Sequence, residues 1–253
     1  LDSKGGPTGH GVLYTDGYGK EIGSETLPGN PGGVALSNTS AYLGLNVMGS
    51  GKVRRIALPS MAQAWEYDWP QSSRVRVLAP APADGVFACG ARDTPNVDES
   101  TYVEQIAANK VSVFSFGDQA TLGSDQSRAV ACAGSPAGGV GVLRHRKGGA
   151  SNVQEILRLS QSGKVVFEGP VPGGTEFTDQ GGLVATQDGG FVIAATGKQA
   201  NKFAMRLVRV NAAGKEVWSA SLGTGAGNLA AVAVVAAHGG GYALLGQAPA
   251  GSV

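Results

Sequence analysis

Charge is scarce in this chain. Asp, Glu, Lys and Arg make up 15% of its 253 residues, where about 25% is usual. The 20 basic residues nearly cancel the 19 acidic ones. No global field draws the molecule toward nucleic acid or an acidic membrane surface. Long apolar runs are missing as well: the longest, residues 229–237, is nine residues, well short of the ~18 a membrane-spanning helix needs. No membrane span is expected. Two cysteines, Cys89 and Cys132, are too few for a disulfide scaffold and lack the Cys/His spacing of a zinc site. They leave two readings, a pair of buried small hydrophobes or a single bridge. Aromatics amount to 6%, which weighs against ring-lined carbohydrate sites. The chain starts with Leu, and no basic segment followed by an apolar core stands near it.

The sequence also lacks the usual catalytic spellings. There is no Gly-x-Ser-x-Gly elbow, and His10, His145 and His238 have no motif partner. Residues 17–23 carry spaced glycines, but the following "SETLPGNPGG" does not start a helix as a dinucleotide loop requires. Gly51-Lys52 is followed by Val53, so the Ser/Thr of a phosphate loop is absent. Asn38-Thr39-Ser40 is a glycosylation acceptor only in a eukaryotic secretory host. Asp93, Asn96 and Asp98 could face a calcium ion, yet their spacing fits no loop motif. No cofactor is expected.

What the chain has in quantity is glycine, 41 residues, and the glycines keep time. "EILRLSQSGKVVF" (155–167) lies over "RLVRVNAAGKEVW" (206–218) at an offset of 51, and "TYVEQIAANKVSVF" (101–114) precedes the first by 54. A second anchor, glycine followed by an apolar strand, recurs at Gly85, Gly139, Gly190 and Gly241, at intervals of 54, 51 and 51. Two anchors in step identify an internal repeat. Each period holds four short apolar stretches separated by glycine-bearing turns, the pattern of small antiparallel sheets. In the most regular unit the strands fall near 183–186, 191–196, 203–210 and 216–222, and alignment of 153–160 with 204–211 decides for strand over helix there.

A four-stranded sheet repeated about every 50 residues predicts an all-β fold, a five-bladed β-propeller of four-stranded antiparallel blades. Blades are expected near 30–70, 72–117, 126–169, 181–223 and 228–253, in a single domain over 1–253. The last lacks its outer pair. The N-terminus supplies one: "GVLYTD" (11–16) lies on "RLVRVN" (206–211) and "KEIGSETL" (20–27) on "KEVWSASL" (215–222). Residues 11–27 are therefore expected to complete the last blade and close the ring. Gly51-Lys52 resembles the repeated turn but follows the strand at 41–47 too closely, so it is placed in a loop.

The segments "DGGFVIAATG" (188–197), "LVRVNAAGKEVW" (207–218) and "HGGGYALLG" (238–246) resemble the bacterial propeller repeats of the PQQ-like superfamily. In that family an Asp/Asn-x-x-Gly-Lys-x-x-Trp turn docks its tryptophan between neighbouring blades. The resemblance implies this role for Trp218, with Phe167 substituting one repeat earlier and Phe114 before that; Gly23 lacks it. The likeness implies a fold, which several functions share. Quinone-binding members carry about eight blades, clustered acidic residues and adjacent cysteines, a set not found here.

Glycosidases on five-bladed rings need paired carboxylates near the axis. The inner strands read "GGVALS", "SRVRVLAP", "SRAVACAG", "GLVATQDG" and "LAAVAVVAAH", and Asp188, in a glycine turn, is their lone acid. Arg74, Arg76 and Arg128 either make the inner channel basic or sit between blades with acidic partners. Turns joining first to second and third to fourth strands are short and uniform. The opposite connections vary and hold clustered charge, which suits recognition. Arg92, Asp93, Asp98 and Glu99, with Arg144, His145, Arg146 and Lys147, are the candidate binding residues. The expected function is a non-catalytic scaffold that presents this face to a partner protein in an exported bacterial assembly, periplasmic, cell-surface or extracellular. The alternatives are a multivalent carbohydrate-binding lectin and an enzyme with an unrecognised site on the same face.

Overall fold

The computed structural model describes residues 10–15, 18–94, 97–118, 126–148, 151–173, 180–199, 202–222 and 229–247. All regular structure among them is β-strand, and none of them forms a helix long and apolar enough to cross a membrane. A hairpin, β1 (His10–Thr15) and β2 (Glu21–Leu27), comes first. Four complete blades follow. Blade one is β3 (Asn30–Leu36), β4 (Ser40–Val47), β5 (Ser50–Ala57) and β6 (Ala62–Asp68). Blade two is β7 (Ser73–Ala81), β8 (Gly85–Thr94), β9 (Val97–Ile106) and β10 (Ser112–Gly117). Blade three is β11 (Gln126–Gly134), β12 (Val140–Gly148), β13 (Ser151–Leu159) and β14 (Val165–Pro170). Blade four is β15 (Gly182–Ala185), β16 (Phe191–Gln199), β17 (Lys202–Val210) and β18 (Glu216–Leu222). A last hairpin, β19 (Ala230–Ala236) and β20 (Tyr242–Gln247), ends the described chain.

Every blade is an antiparallel meander in chain order. The closing ladder expected between the two ends is absent from the strand pairing: β1–β2 and β19–β20 are separate two-stranded sheets. Hydrogen bonding thus defines four blades and two hairpins, and does not establish a fifth blade. The hairpins are held by their faces instead. Leu27, Val12 and Tyr14 pack with Leu43 and Ile56 of blade one, and Arg54 donates to Glu25. At the other end Ala231 and Val234 pack with Val192 and Ala194 of blade four. A sequence repeat reports a strand's position within a blade; it carries no information on which edge that strand meets.

Gly51-Lys52 lies inside β5 and not in a loop. Met48 and Gly49, at φ +48° and +81°, form a two-residue hairpin turn with Val47 opposite Ser50. Two consecutive positive-φ residues match the twist of the flanking strands, so the third strand begins directly after them at Ser50.

Cores lie between blades. Tyr42, Val53 and Trp69 meet Val75, Val86 and Tyr102 between blades one and two. Phe87 and Val103 meet Val142 and Leu157 between two and three, and Leu143 and Ile156 meet Phe191, Ile193 and Val208 between three and four. Cys89 and Cys132, distant in sequence, share the second of these cores with free thiols. Burial, reinforced by a hydrogen bond with Cys132, pushes the Cys89 thiol well above its ordinary range.

An outer-strand ring docks each blade on the next. Phe114 of blade two lies against Gly163 of blade three, and Phe167 lies against Gly214 of blade four, where an added Cβ would come within 2.7 and 2.6 Å of the rings. Both glycines also adopt positive φ, +74° and +76°, so conformation and close approach demand the same residue. Trp218 approaches Tyr242 of the last hairpin at 6.4 Å between centroids. In blade one the equivalent ring is Trp65, whose Nε1 donates to Ala108 O at 2.8 Å.

Candidate axial binding site

The innermost strands β3, β7, β11, β15 and β19 stand side by side in chain order. Four of the five carry an irregularity at the same place, between Pro31 and Gly33, Val75 and Val77, Ala129 and Ala131, and Ala231 and Ala233. The skipped residues are Gly32, Arg76, Val130 and Val232. A bulge frees one residue from the ladder and re-aims its side chain. Gly32, Arg76 and Val130 border one cavity of about 340 Å³, with Arg74 and Asn46 on its wall. Arg76 is the one charged residue among the four bulged positions, and the ladder geometry points it where its neighbours place glycine or valine.

Three guanidinium groups converge on Glu99, which β9 brings in from the third strand. Arg76 Nη2 donates to Glu99 Oε1 at 2.9 Å, Arg128 Nη1 to Oε2 at 3.1 Å and Arg74 Nη1 to Oε1 at 3.4 Å. Arg74 Nη2 also lies 3.6 Å from Asp93 Oδ2. Glu99 is buried, whereas the Arg74 side chain is 50% exposed. The Nε of Arg76 is buried with no acceptor among the described residues. Arg74 and Arg76 border the axial cavity, and all three arginines pair with acids. Arg92 lies over the Tyr102 ring, 5.9 Å from its centroid, and is exposed at the same end of blade two.

Of the residues expected on the binding face, the structure therefore gathers Asp93 and Glu99 around the axial arginines, while Arg92 stands at the same end of blade two over Tyr102. The Asp98 side chain lies outside the described residues, as does Asn96. Arg144 and His145 are buried, 1% and 3% exposed, and so stand inside blade three and not on its rim. Arg144 is an ion-pair hub: its Nη2 donates to Glu155 at 2.7 Å and to Glu168 at 3.2 Å, and its Nη1 to Asp118 at 3.1 Å. Arg146 reaches the same Glu155 at 3.8 Å, and Lys147 is exposed. Asn46, Arg74, Arg76 and Arg128 complete the axial site; the bulge that aims Arg76 leaves no mark in an Arg-Val alternation, which reads as a plain strand.

Blade one holds a third charged group. Lys52 Nζ donates to Glu66 at 2.9 Å and Asp68 at 2.6 Å, while Arg54 bonds Glu66 and Glu25. The hydrogen bonds that Lys52 donates to Asp68 and Glu66 raise its pKa, and the bond to Glu66 lowers that carboxyl. Nearby, burial and then the hydrogen bond to Glu104 push the Tyr67 hydroxyl up to about 12. No group of three or more His, Cys, Asp or Glu side chains capable of holding a metal occurs among the described residues.

No family model matches the chain, and no curated protein sequence does. Its structure is similar to those of β-propeller proteins. Hydrazine synthase from Kuenenia stuttgartiensis is 14% identical over 90% of this chain and 58% of that one, with TM-score 0.61. The Dos1 propeller is 12% identical over 85% and 54%, at 0.52. Apo AztD from Citrobacter koseri is 12% identical over 86% and 54%, at 0.50. At these identities the likeness shows the fold, an all-β propeller of four-stranded blades. The chain spans a little over half the length of each of these structures.

Proposed function

We propose that this chain is a non-catalytic binding propeller, one domain that presents its loop-bearing end to a partner protein as a module of an exported bacterial assembly. The observation that carries the reading is the charge at that end, where Arg92 and Lys147 are exposed and the half-exposed Arg74 lines an open cavity at the axis. Rigid sheets with charged groups at one strand end suit recognition better than catalysis. Resemblance of the repeats to PQQ-like propellers supports the bacterial, exported setting. A lectin is less well supported, because Trp65, Trp69, Phe114, Phe167 and Trp218 all lie at packing positions, which leaves few rings for a sugar.

The test uses affinity capture with cross-linking from an extract of the source organism. Three baits are compared: the wild type, Arg92→Glu/Lys147→Glu on the loop-bearing end, and Lys110→Glu/Lys164→Glu on the short-turn end. The expected result is one protein captured by the wild type and by the short-turn variant, and lost from the loop-end variant at unchanged melting temperature. Equal capture by all three, or a strong glycan-array signal with no protein partner, overturns the proposal.

A further inference from the structure

The described charges are not spread evenly. Around the axis, Arg74 and Arg76 line the cavity and share Glu99, with Arg128 on the other oxygen of that carboxylate. Farther out in blade one, Lys52 and Arg54 face Glu25, Glu66 and Asp68, and in blade three Arg144 and Arg146 face Asp118, Glu155 and Glu168. Both outer groups carry an excess of acid. A chain that is close to neutral overall therefore sets two guanidinium groups at one cavity, with acid-rich groups farther out. Low-dielectric walls focus such a field.

We infer that the axial cavity binds a compact oxyanion, a single carboxylate or phosphate group, held by Arg74 and Arg76 in competition with Glu99. The guanidinium fork matches both groups in geometry. Glu99 is shared by three guanidinium groups, and the Arg76 Nε lacks an acceptor among the described residues. The cavity, at about 340 Å³, falls at the small end of the ~300–1,000 Å³ range for small-molecule sites. Pro31, Val75, Val77, Ala129 and Val130 supply the apolar part of the wall, beside Asn46. The outer acids repel extended polyanions, so the site selects one charged group and not a nucleic acid strand. The group can come from a free small molecule or from one acidic side chain of the partner proposed above; the inference deepens that reading but rests on different residues.

Calorimetric titration at constant ionic strength tests it, with inorganic phosphate, succinate, a neutral peptide carrying one Asp, and a short DNA duplex as probes. Saturable binding of phosphate or succinate indicates a small-molecule source, and binding of the Asp peptide alone indicates a partner side chain. Either supports the site. Arg74→Gln, at a half-exposed position that leaves folding intact, weakens binding roughly tenfold, and Arg76→Gln abolishes it. Glu99→Gln removes the internal competitor and tightens binding roughly tenfold, a gain of function that a purely structural carboxylate would not give. Absence of saturable binding to all three compact probes by both the wild type and Glu99→Gln overturns the inference, as does DNA binding more tightly than phosphate. Partner capture that persists in Arg76→Gln while phosphate binding is lost separates this site from the loop-end reading.

Discussion

The two ends of the blades use polar residues in opposite ways. At the short-turn end they close on one another. Asp84 accepts from Ser37, from Thr39 at 2.5 Å, from Ser40 at 2.9 Å and from Arg55 at 2.6 Å, tying the first turn of blade two to blade one. Asp188 accepts from Thr186 and Arg209, and Asn211 Oδ1 caps the amides of Ala213 and Lys215. At the loop-bearing end Arg74, Arg76 and Arg128 share Glu99, and the Arg74 side chain remains half-exposed. Local satisfaction of a carboxylate such as Asp84 produces stability, while a half-exposed cation beside a cavity leaves potential for a ligand. The lesson is that the partner count around a charge, and its burial, assign its role better than the presence of the charge does.

Arg144 sharpens that comparison, because it lies toward the loop-bearing end but is fully buried. Arg144→Ala leaves Glu155 and Asp118 without their buried cation, and a loss of ~3–5 kcal/mol of unfolding free energy is expected by urea denaturation. Asp84→Ala removes a carboxylate that takes four side-chain hydrogen bonds, and ~2–4 kcal/mol is expected in the same assay. Asn211→Ala removes a turn cap, for about 1 kcal/mol. Arg74→Gln, at the loop-bearing end, changes stability by no more than ~0.5 kcal/mol. A large loss at Arg74 would break the comparison.

Acid titration offers a second way to break it. Burial by itself would raise Asp84, but the hydrogen bonds from Ser37, Thr39, Ser40 and Arg55 outweigh it and hold the carboxyl well below its ordinary 3.8. A depressed carboxylate stabilises the fold fully above its unfolded value, and that contribution is lost as pH falls through the folded one. The stability difference between the wild type and Asp84→Asn is therefore expected to be constant near neutrality and to shrink below about pH 4. A difference independent of pH across that range would show that the Asp84 contacts do not depend on its charge.

Much of the architecture was legible in the glycine rhythm. The strands of blade four fall within a few residues of their expected positions, and the helix-like stretch at 153–160 is strand β13. Two things were hidden. Blade one departs from the repeat because its third-to-fourth turn, residues 58–61, lacks the Gly-Lys pair, which misplaced Gly51-Lys52 and concealed Trp65 as a docking ring. The ends of the chain match the outer and inner halves of a blade in spelling, yet they rest on blades one and four without a ladder between them. For the site, Arg92, Asp93 and Glu99 were visible as charge near a variable connection. Arg144 and His145 looked identical in kind, and only three-dimensional packing moves them into the interior. The bulge that turns Arg76 to the axis depends on strand pairing, which a single sequence does not display.

The most direct measurement is a high-resolution crystal structure of the wild type and of Glu99→Gln grown from phosphate. A phosphate within hydrogen-bonding distance of both Arg74 and Arg76, at higher occupancy in the variant, is the expected result. A cavity filled only by water in both crystals, with the arginines of the variant turned outward to solvent, would contradict the assignment of the axis as a binding site.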